Sequence, residues 1–182
     1  MRLFVGIPLS AGVRAELTSA LTPAISQVKG WRWASAESWH ITLQFLGNTS
    51  QEKCEFLSAQ LRDLQSLAVP TQLDRLGFFE RAGIFHAGVS LCPELSALQR
   101  KVSDAATQSG FAPETRPYHP HITLARAKDR VRSRAVRTLR ETLPESPEFS
   151  PFVAEEFFLF ESFLGPTGAR YEIRERFELP PT

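Results

Sequence analysis

The tetrapeptide His-Ile-Thr-Leu occurs twice in this chain of 182 residues, beginning once at His40 and once at His121. An imidazole titrates at about pH 6.5, so one histidine of such a pair can give a proton while the other accepts one. Cleavage of a phosphate ester needs both proton transfers. Thr42 and Thr123 add uncharged hydroxyls that can hydrogen-bond phosphate oxygens. The two motifs therefore predict acid–base chemistry on a phosphate ester that requires no metal.

Each motif must be held on a β-strand for this chemistry. Side chains alternate across a strand, so His40 and Thr42 share one face and the apolar residues of the motif share the other. The second copy repeats the arrangement with His121 and Thr123. We expect the apolar faces to pack against helices and the two polar faces to line one groove.

The two copies lie 81 residues apart, from position 40 to position 121. Two further pairs of dipeptides share this offset: Phe79-Glu80 with Phe160-Glu161, and Leu3-Phe4 with Ile84-Phe85. The shared offset predicts one domain, 1–182, that contains an internal repeat of approximately 1–82 and 83–182. We expect the two repeats to be related by a pseudo-two-fold axis.

Hydrophobic periodicity predicts alternating strands and helices. The predicted strands cover 2–8, 39–46, 71–79, 84–91, 121–126, 152–163 and 170–179. The predicted helices cover 11–28, 51–66, 94–109 and 129–142. Loops are expected at 31–38 and 111–120, and a hairpin turn at 165–168.

The composition is that of an ordinary globular protein, with 42% hydrophobic and 23% charged residues. A net charge of +1 gives no global field of the kind that nucleic-acid coat proteins or membrane-surface proteins carry. The first residues form too short an apolar run for a signal peptide, and no apolar stretch approaches the ~18 residues of a membrane span. We therefore expect a cytoplasmic protein that does not enter membranes. Cys54 and Cys92 are expected to be free thiols.

Arg126 follows His121 by five positions, and simple alternation places it on the opposite strand face. It reaches the phosphate only if the strand ends or bulges at Ala125. The equivalent residue of the first motif is Phe45, which breaks the symmetry. We expect Arg126 to contact the phosphate and Phe45 to stack on a base; an ordinary surface arginine is the alternative.

Other residues carry weaker signals. His119 and His121 form a His-x-His pair that can chelate a metal, but no third ligand accompanies it. His86 has no motif around it and is expected to face solvent or a sheet edge. Trp31 and Trp33 suit either a base-stacking rim or the core. Seven basic residues between 126 and 140 suit either an RNA-facing patch or a solvated helix face.

The motifs and their flanks resemble the two-histidine (2H) phosphoesterase superfamily. Within it, the chain is similar to the RNA 2′,3′-cyclic phosphodiesterases, also called the 2′–5′ RNA ligase (LigT-like) family. The resemblance spans nearly the whole chain. It rests on the segments Arg2-Leu3-Phe4-Val5-Gly6-Ile7, Trp39-His40-Ile41-Thr42-Leu43-Gln44-Phe45-Leu46-Gly47 and Arg116-Pro117-Tyr118-His119-Pro120-His121-Ile122-Thr123-Leu124-Ala125-Arg126.

This resemblance implies an α+β fold of two lobes, each an antiparallel sheet backed by helices, with the active site in the groove between them. It implies opening of a terminal RNA 2′,3′-cyclic phosphate to a 2′-phosphate, without a cofactor or metal. His40 would be the general acid and His121 the general base, while Thr42, Thr123 and Arg126 would hold the phosphate. RNA ends or nucleotides would be the substrates, and some family members join tRNA halves by the reverse reaction. We expect a monomer.

Two other functions fit the same residues. An RNA- or tRNA-binding module would use the histidines only to contact phosphate and would bind RNA without turning it over. A phosphodiesterase for another small substrate, such as a cyclic or 2′–5′ nucleotide, would share the chemistry and differ in substrate size.

Overall fold

The computed structural model describes residues 1–128, 132–145, 147–165 and 168–181, without the side chain of Arg132. The strands are β1 (Arg2–Pro8), β2 (Trp31–Trp33), β3 (His40–Asn48), β4 (Val69–Thr71), β5 (Leu73–Phe79), β6 (Ile84–Val89), β7 (His121–Ala127), β8 (Phe152–Ala154), β9 (Glu156–Gly165) and β10 (Gly168–Glu178). The helices are α1 (Ala11–Gln27), α2 (Gln51–Arg62), α3 (Pro93–Gln108) and α4 (Arg132–Thr142). Short 3₁₀ turns cover Ala36–Ser38 and Glu80–Ala82.

Two four-stranded sheets form the two lobes. The first lobe has the strand order β10-β9-β1-β3, and the second lobe has the order β2-β7-β6-β5. Every strand pair in them is antiparallel. Helices α2 and α3 contact each other behind the first lobe, where α3 packs on β3, while α4 packs on β7 of the second lobe and against α1. The predicted α+β fold, with antiparallel sheets backed by helices, is confirmed.

The lobes do not coincide with the two halves of the chain. Strand β5, from the first half, completes the second lobe by pairing with β6. Strand β9, from the second half, completes the first lobe by pairing with β1. The motif strands β3 and β7 therefore each lie in a sheet that contains strands from both halves. The internal repeat with a boundary near residue 82 remains a prediction.

Strand register shows which residues of the two lobes are equivalent. Thr42 lies opposite Gly6 in the first lobe, and Thr123 lies opposite His86 in the second. The first strands of the repeats are thus offset by 80 residues, from position 6 to position 86, although the motifs are offset by 81. The match of Leu3-Phe4 with Ile84-Phe85 was wrong by one residue, because the segment between the first strand and the motif differs in length by one residue.

One hydrophobic core runs through both lobes. Helix α1 contributes Val13, Leu17 and Leu21, and the motif strands contribute Ile41 and Ile122, all at most 1% exposed. Burial of this apolar surface is the main force that holds the two sheets together. A smaller cluster of Phe4, Phe158 and Phe160 lies apart from it in the first lobe.

The structure corrects several predicted boundaries. The expected loop 31–38 contains β2, which pairs with β7, because a short edge strand takes its hydrogen bonds from a partner distant in sequence. The predicted strand 71–79 is divided into β4 and β5, and the predicted strand 152–163 is divided into β8 and β9. Strands β4 and β8 pair with each other and not with the sheets of the two lobes. Residues 129–131 of the predicted fourth helix and positions 166 and 167 of the expected turn lie outside the described residues.

None of the helices in the described part of the chain combines the length and apolar character that a membrane span requires.

Candidate active site

The two motif strands have the same pattern of burial. In β3, His40 and Thr42 are half-buried while Ile41 and Leu43 are 0% and 2% exposed. In β7, His121 and Thr123 are half-buried between the fully buried Ile122 and Leu124. The structure therefore places the polar pair of each motif on one strand face and the apolar pair in the core.

Each motif strand then has a bulge of one residue directly after its threonine. In β3, Val5 pairs with Gln44 and Gly6 with Thr42, so Leu43 is the extra residue. In β7, Phe85 pairs with Ala125 and His86 with Thr123, so Leu124 is extra. A bulge of one residue reverses the alternation beyond it.

The bulges decide where Phe45 and Arg126 lie. At each bulge, the extra residue and the residue after it are both buried. The next side chain then returns to the face that carries the histidine. Phe45 is 65% exposed on that face of the first lobe. Arg126 is exposed on that face of the second lobe, and its charge lowers the pKa of His121. Burial raises the pKa of Tyr171, which belongs to the first lobe, and the charge of Arg126 opposes this rise.

Equivalent hydrogen bonds orient the two histidines. The Nδ1 of His40 lies 2.8 Å from the carbonyl oxygen of Ser38, and the Nδ1 of His121 lies 2.7 Å from that of His119. A carbonyl oxygen can only accept, so each Nδ1 carries the hydrogen. In the neutral rings each Nε2 is then left as the basic nitrogen, free to exchange a proton with a ligand.

Burial makes both imidazoles hard to protonate. It lowers the pKa of His40 to about 4, against the opposing effect of the hydrogen bond to Ser38, and the nearby His121 lowers it further. Burial is also the largest cause of the lowered pKa of His121. The hydrogen bond to the His119 carbonyl opposes this effect, and the charges of Arg126 and His119 lower the pKa further. The effect of His121 on the pKa of His40 places the second ring within electrostatic range of the first.

Aromatic rings surround His40. Its ring centroid lies 4.5 Å from that of Phe4, 5.2 Å from that of Tyr171 and 5.8 Å from that of Phe160. These side chains come from β1, β10 and β9, the three other strands of the first lobe. They exclude water from the ring of His40, which is the physical cause of its low pKa.

A different wall borders His121. Phe79 meets the His121 ring edge-on at 4.9 Å between centroids, and His86 meets it at 5.6 Å. His86 is therefore not the solvent- or edge-facing residue that was expected: β6 is an interior strand of its sheet, and the ring lies beside the second motif. This placement follows from strand pairing, which the residues around His86 did not indicate.

Contacts across the groove join the two motif strands. The Tyr118 hydroxyl, in the loop before β7, donates a hydrogen bond of 3.0 Å to the Thr42 carbonyl oxygen in β3. Burial raises the pKa of Tyr118, which keeps the hydroxyl protonated as a donor. Beside His40, a cavity of about 310 Å³ is lined by residues that include Arg14, Trp39, Phe158 and Tyr171.

Several sequence candidates lie elsewhere. Trp31 is 5% exposed and donates its indole hydrogen to the Ala135 carbonyl, and Trp33 packs partly buried on Phe85, so neither forms a base-stacking rim. The His119 ring is exposed, and His119 meets the site through its carbonyl oxygen. Within the described ranges, no three His, Cys, Asp or Glu side chains are grouped to hold a metal ion.

The basic segment lies partly on α4. Its buried residues Ala135, Val136 and Leu139 face the core, while Arg134 and Arg137 are exposed. Arg140 bonds Glu80 at 3.0 Å and lies over the Phe78 ring. Whether the exposed arginines meet RNA remains a prediction.

The sequence model of the 2′–5′ RNA ligase superfamily matches residues 14–161, a range that contains both motifs and both bulges. The chain belongs to the 2′–5′ RNA ligase superfamily.

Curated members of the superfamily match along nearly the whole chain. The RNA 2′,3′-cyclic phosphodiesterase of Escherichia coli K12 is 31% identical, over 98% of this chain and 96% of its own length. The protein of the same name from Bacillus subtilis 168 is 29% identical, over 97% and 95%. These proteins confirm the resemblance that the motifs suggested.

Solved structures of the superfamily share the fold. A crystal structure described as a phosphoesterase has a TM-score of 0.80 and 26% identity, over 98% of both chains. E. coli LigT in complex with 3′-AMP has a TM-score of 0.78 and 27% identity, over 98% of this chain and 97% of LigT.

The aromatic walls around the histidines were missed at the level of sequence. One signal is present in the sequence: the dipeptides Phe79-Glu80 and Phe160-Glu161 recur at the offset of the two motifs. Phe79 contacts His121 and Phe160 contacts His40, so the repeat also marks equivalent parts of the two walls. Tyr171 and His86 break the symmetry, and no repeat could have indicated them.

Proposed function

We propose that this protein is an RNA 2′,3′-cyclic phosphodiesterase that opens a terminal cyclic phosphate to a 2′-phosphate by acid–base catalysis without a metal. The observation that carries the proposal is the pair of imidazoles, each oriented by a bond from Nδ1 to a backbone carbonyl. Both leave Nε2 as the atom that exchanges the proton. The curated relatives bear the same name for their activity.

In the proposed reaction His121 is the general base and His40 the general acid. The Nε2 of His121 takes a proton from water as the water oxygen attacks phosphorus. The bond from phosphorus to the 3′-oxygen breaks, and that oxygen receives the proton from Nε2 of His40. His121 ends the step protonated and His40 neutral, and exchange with solvent restores both.

The bound phosphate enables His40 to act as the acid. With a pKa of about 4, His40 is almost entirely neutral near pH 7 in the free protein. An anionic phosphate beside the ring stabilises the imidazolium, so substrate binding raises the pKa and supplies the proton. The role of His40 as acid therefore requires the ligand to be bound.

The remaining site residues hold the substrate. The hydroxyls of Thr42 and Thr123 donate hydrogen bonds to the non-bridging phosphate oxygens, and the charge of Arg126 stabilises the phosphate in the transition state. The exposed ring of Phe45 offers a surface on which the terminal base can stack. The cavity beside His40 has room for the adjoining part of the nucleotide.

RNA with 2′,3′-cyclic phosphate ends is the proposed substrate class, and tRNA halves are one form of it. In ligation a 5′-hydroxyl replaces water as the nucleophile, the bond from phosphorus to the 3′-oxygen breaks, and a 2′–5′ linkage forms. We further propose that the protein acts as a monomer in the cytoplasm.

The test uses an oligonucleotide that ends in a 2′,3′-cyclic phosphate, incubated with purified protein in EDTA. We expect the 2′-phosphate as product. His40→Ala and His121→Ala each remove one proton transfer and should lower kcat by ~10²–10⁴-fold. His119→Ala is the matched control, because its backbone carbonyl, which orients His121, is retained.

Three outcomes would reject the proposal. A 3′-phosphate as the sole product would contradict the direction of ring opening, and activity lost in EDTA would contradict the metal-free mechanism. RNA binding that survives both alanine substitutions, with no turnover by the parent protein, would identify a binding module. Comparing mononucleotide, 2′–5′-linked and oligonucleotide substrates separates the RNA enzyme from one for small nucleotides.

A further inference from the structure

The two lobes differ most sharply at one pair of equivalent positions beside the motifs. Gly6 lies opposite Thr42, and His86 lies opposite Thr123. A Cβ atom at Gly6 would lie 3.2 Å from Cδ2 of His40 and 2.9 Å from the Ile41 carbonyl oxygen, so the first lobe has no room there for a side chain. The second lobe places an imidazole at the same point.

The second lobe makes room for this ring on the neighbouring strand. Gly77 lies opposite His86, and a Cβ at Gly77 would come within 3.2 Å of both Cε1 and Nε2 of the ring. Phe79 stacks on His86 with 4.0 Å between centroids and an angle of 22° between planes. His86 is therefore held between two strands in one orientation, with its ring plane at 66° to that of His121.

His86 has no other evident structural task. Its Nδ1 is buried and makes no hydrogen bond of good geometry, although the Ala87 backbone opposes the lowering of the ring's pKa by burial and by His121. A polar ring in that situation costs free energy, and a phenyl ring would fill the same space without the cost. Such a residue calls for an explanation in the neighbouring site.

We propose that His86 is a positioning residue for His121: clamped on Gly77 and Phe79, its ring fixes the orientation of the His121 imidazole and shields that imidazole from water. This inference rests on the proposed function only in taking His121 as a reacting group. The contact between the two rings stands independently of any substrate.

Shielding has a direct electrostatic consequence. Burial is the largest cause that lowers the pKa of His121, and the His86 ring is part of what buries it. A general base must be neutral before it reacts, so a low pKa keeps His121 competent at mildly acidic pH. His86 stays neutral over the same range, because burial and the neighbouring His121 lower its own pKa to about 4.

Other charged groups near the pair come from each neighbouring element. The pKa of His121 is lowered by the charges of Arg126 on β7 and of His119 in the preceding loop. His121 in turn lowers the pKa of His40 across the groove. Arg75 on β5 acts on His86. Substitution of His86 leaves all four in place, so a change in the titration of His121 reports the loss of the His86 ring.

The experiment is an NMR titration of the imidazole C–H signals in the ligand-free protein. The chain has four histidines, so the four signals can be assigned by single substitutions. In His86→Ala, water reaches His121, and we expect its pKa to rise towards the ordinary 6.5. In His86→Phe, an aromatic ring again covers His121, and its pKa should return to the parent value.

Kinetics supply a second readout. In His86→Ala the acidic limb of the pH–rate profile should move to higher pH by as much as the pKa of His121, with a fall in kcat and little change in KM. At pH values below the pKa of His121, an increase of one in that pKa lowers the rate by about tenfold. His86→Phe should restore the profile.

An unchanged His121 titration in folded His86→Ala would overturn the proposal. So would a His86→Phe variant that keeps the parent titration but loses activity, since the ring nitrogens would then act on the substrate. If His86→Ala does not fold, His86→Phe decides alone: loss of its parental titration or activity rejects the proposal. Because the titration needs no substrate, failure of the proposed function would leave this result interpretable.

Discussion

At the scale of residues, the site is a symmetric pair with unequal surroundings. Both histidines use Nδ1 to donate to the carbonyl two residues earlier, so both present the same nitrogen to a ligand. His40 is enclosed by Phe4, Phe160 and Tyr171, whereas His121 is bordered by Phe79 and His86. Identical motifs thus acquire different surroundings, and unequal surroundings are what a division into acid and base requires.

This difference predicts a ligand-dependent titration of His40. The free protein should show a pKa of about 4 for this ring. Saturation with a nucleoside 2′-phosphate should raise that pKa, because the phosphate anion stabilises the imidazolium. NMR titration with and without the nucleotide measures the change, and the unphosphorylated nucleoside is the control. A His40 that still titrates near 4 with phosphate bound would assign the role of acid to His121.

At the scale of elements, a bulge in each motif strand builds the face that carries the histidine. Without it, alternation would bury the side chain at position 45 or 126 whenever the histidine faces the groove. The extra residues Leu43 and Leu124 reverse the alternation and bring Phe45 and Arg126 beside the motifs. The sequence had shown that Arg126 needs such a bulge near Ala125, and the structure has it one residue earlier.

The same scale predicts how sensitive the His86 clamp is to crowding. In Gly77→Val the added atoms meet the His86 ring, which already lies within 3.2 Å of a Cβ at this position. We expect the free energy of unfolding to fall by about 1–3 kcal/mol, as for other overpacked sites. Urea denaturation measures this change.

The matched control is Gly12→Val in α1, where a Cβ has no neighbour within 4 Å. Glycine and valine both rank low in helix propensity, so this change should alter stability by less than about 1 kcal/mol. Equal stabilities of the two variants would contradict the tight contact between Gly77 and His86.

At the scale of the whole molecule, the exchange of β5 and β9 makes the lobes interdependent. Each sheet takes two of its four strands from the other half of the chain: β9 and β10 in the first lobe, and β2 and β5 in the second. One core continues from lobe to lobe, and the Tyr118 hydroxyl ties the loop before the second motif to the first motif strand. The two motifs are therefore held together by the fold as a whole.

Buried neutral histidines predict that stability falls in acid. The pKa values of His40 and His86 are about 4 in the folded protein and about 6.5 for an unperturbed side chain. Between these values the unfolded chain binds protons that the folded protein does not, so the free energy of unfolding decreases as the pH falls from about 6.5 to 4. Each pKa difference of one corresponds to about 1.4 kcal/mol.

Urea denaturation at a series of pH values measures this dependence. His86→Phe removes one of these buried groups, so its stability should fall less steeply over the same pH range. Parallel curves for the parent and His86→Phe would show that His86 titrates normally in the folded protein.

The sequence alone determined the chemistry and most of the elements. Two histidines and two threonines in repeated strand motifs indicated the reacting groups, and hydrophobic periodicity located the helices and long strands to within a few residues. These features are local: they depend on residue type and on the spacing along one strand or helix. The acid and base roles, the phosphate contacts and the repeat boundary remain predictions.

Only the tertiary structure decided which residues surround the motifs. The short strands β2, β4 and β8 exist because distant partners supply their hydrogen bonds, and His86 lies beside His121 because β6 pairs with β7. The bulges follow from the register between strands, which no single strand encodes. The histidines could therefore be found in the sequence, whereas the environments that distinguish them depend on strand pairing across the molecule.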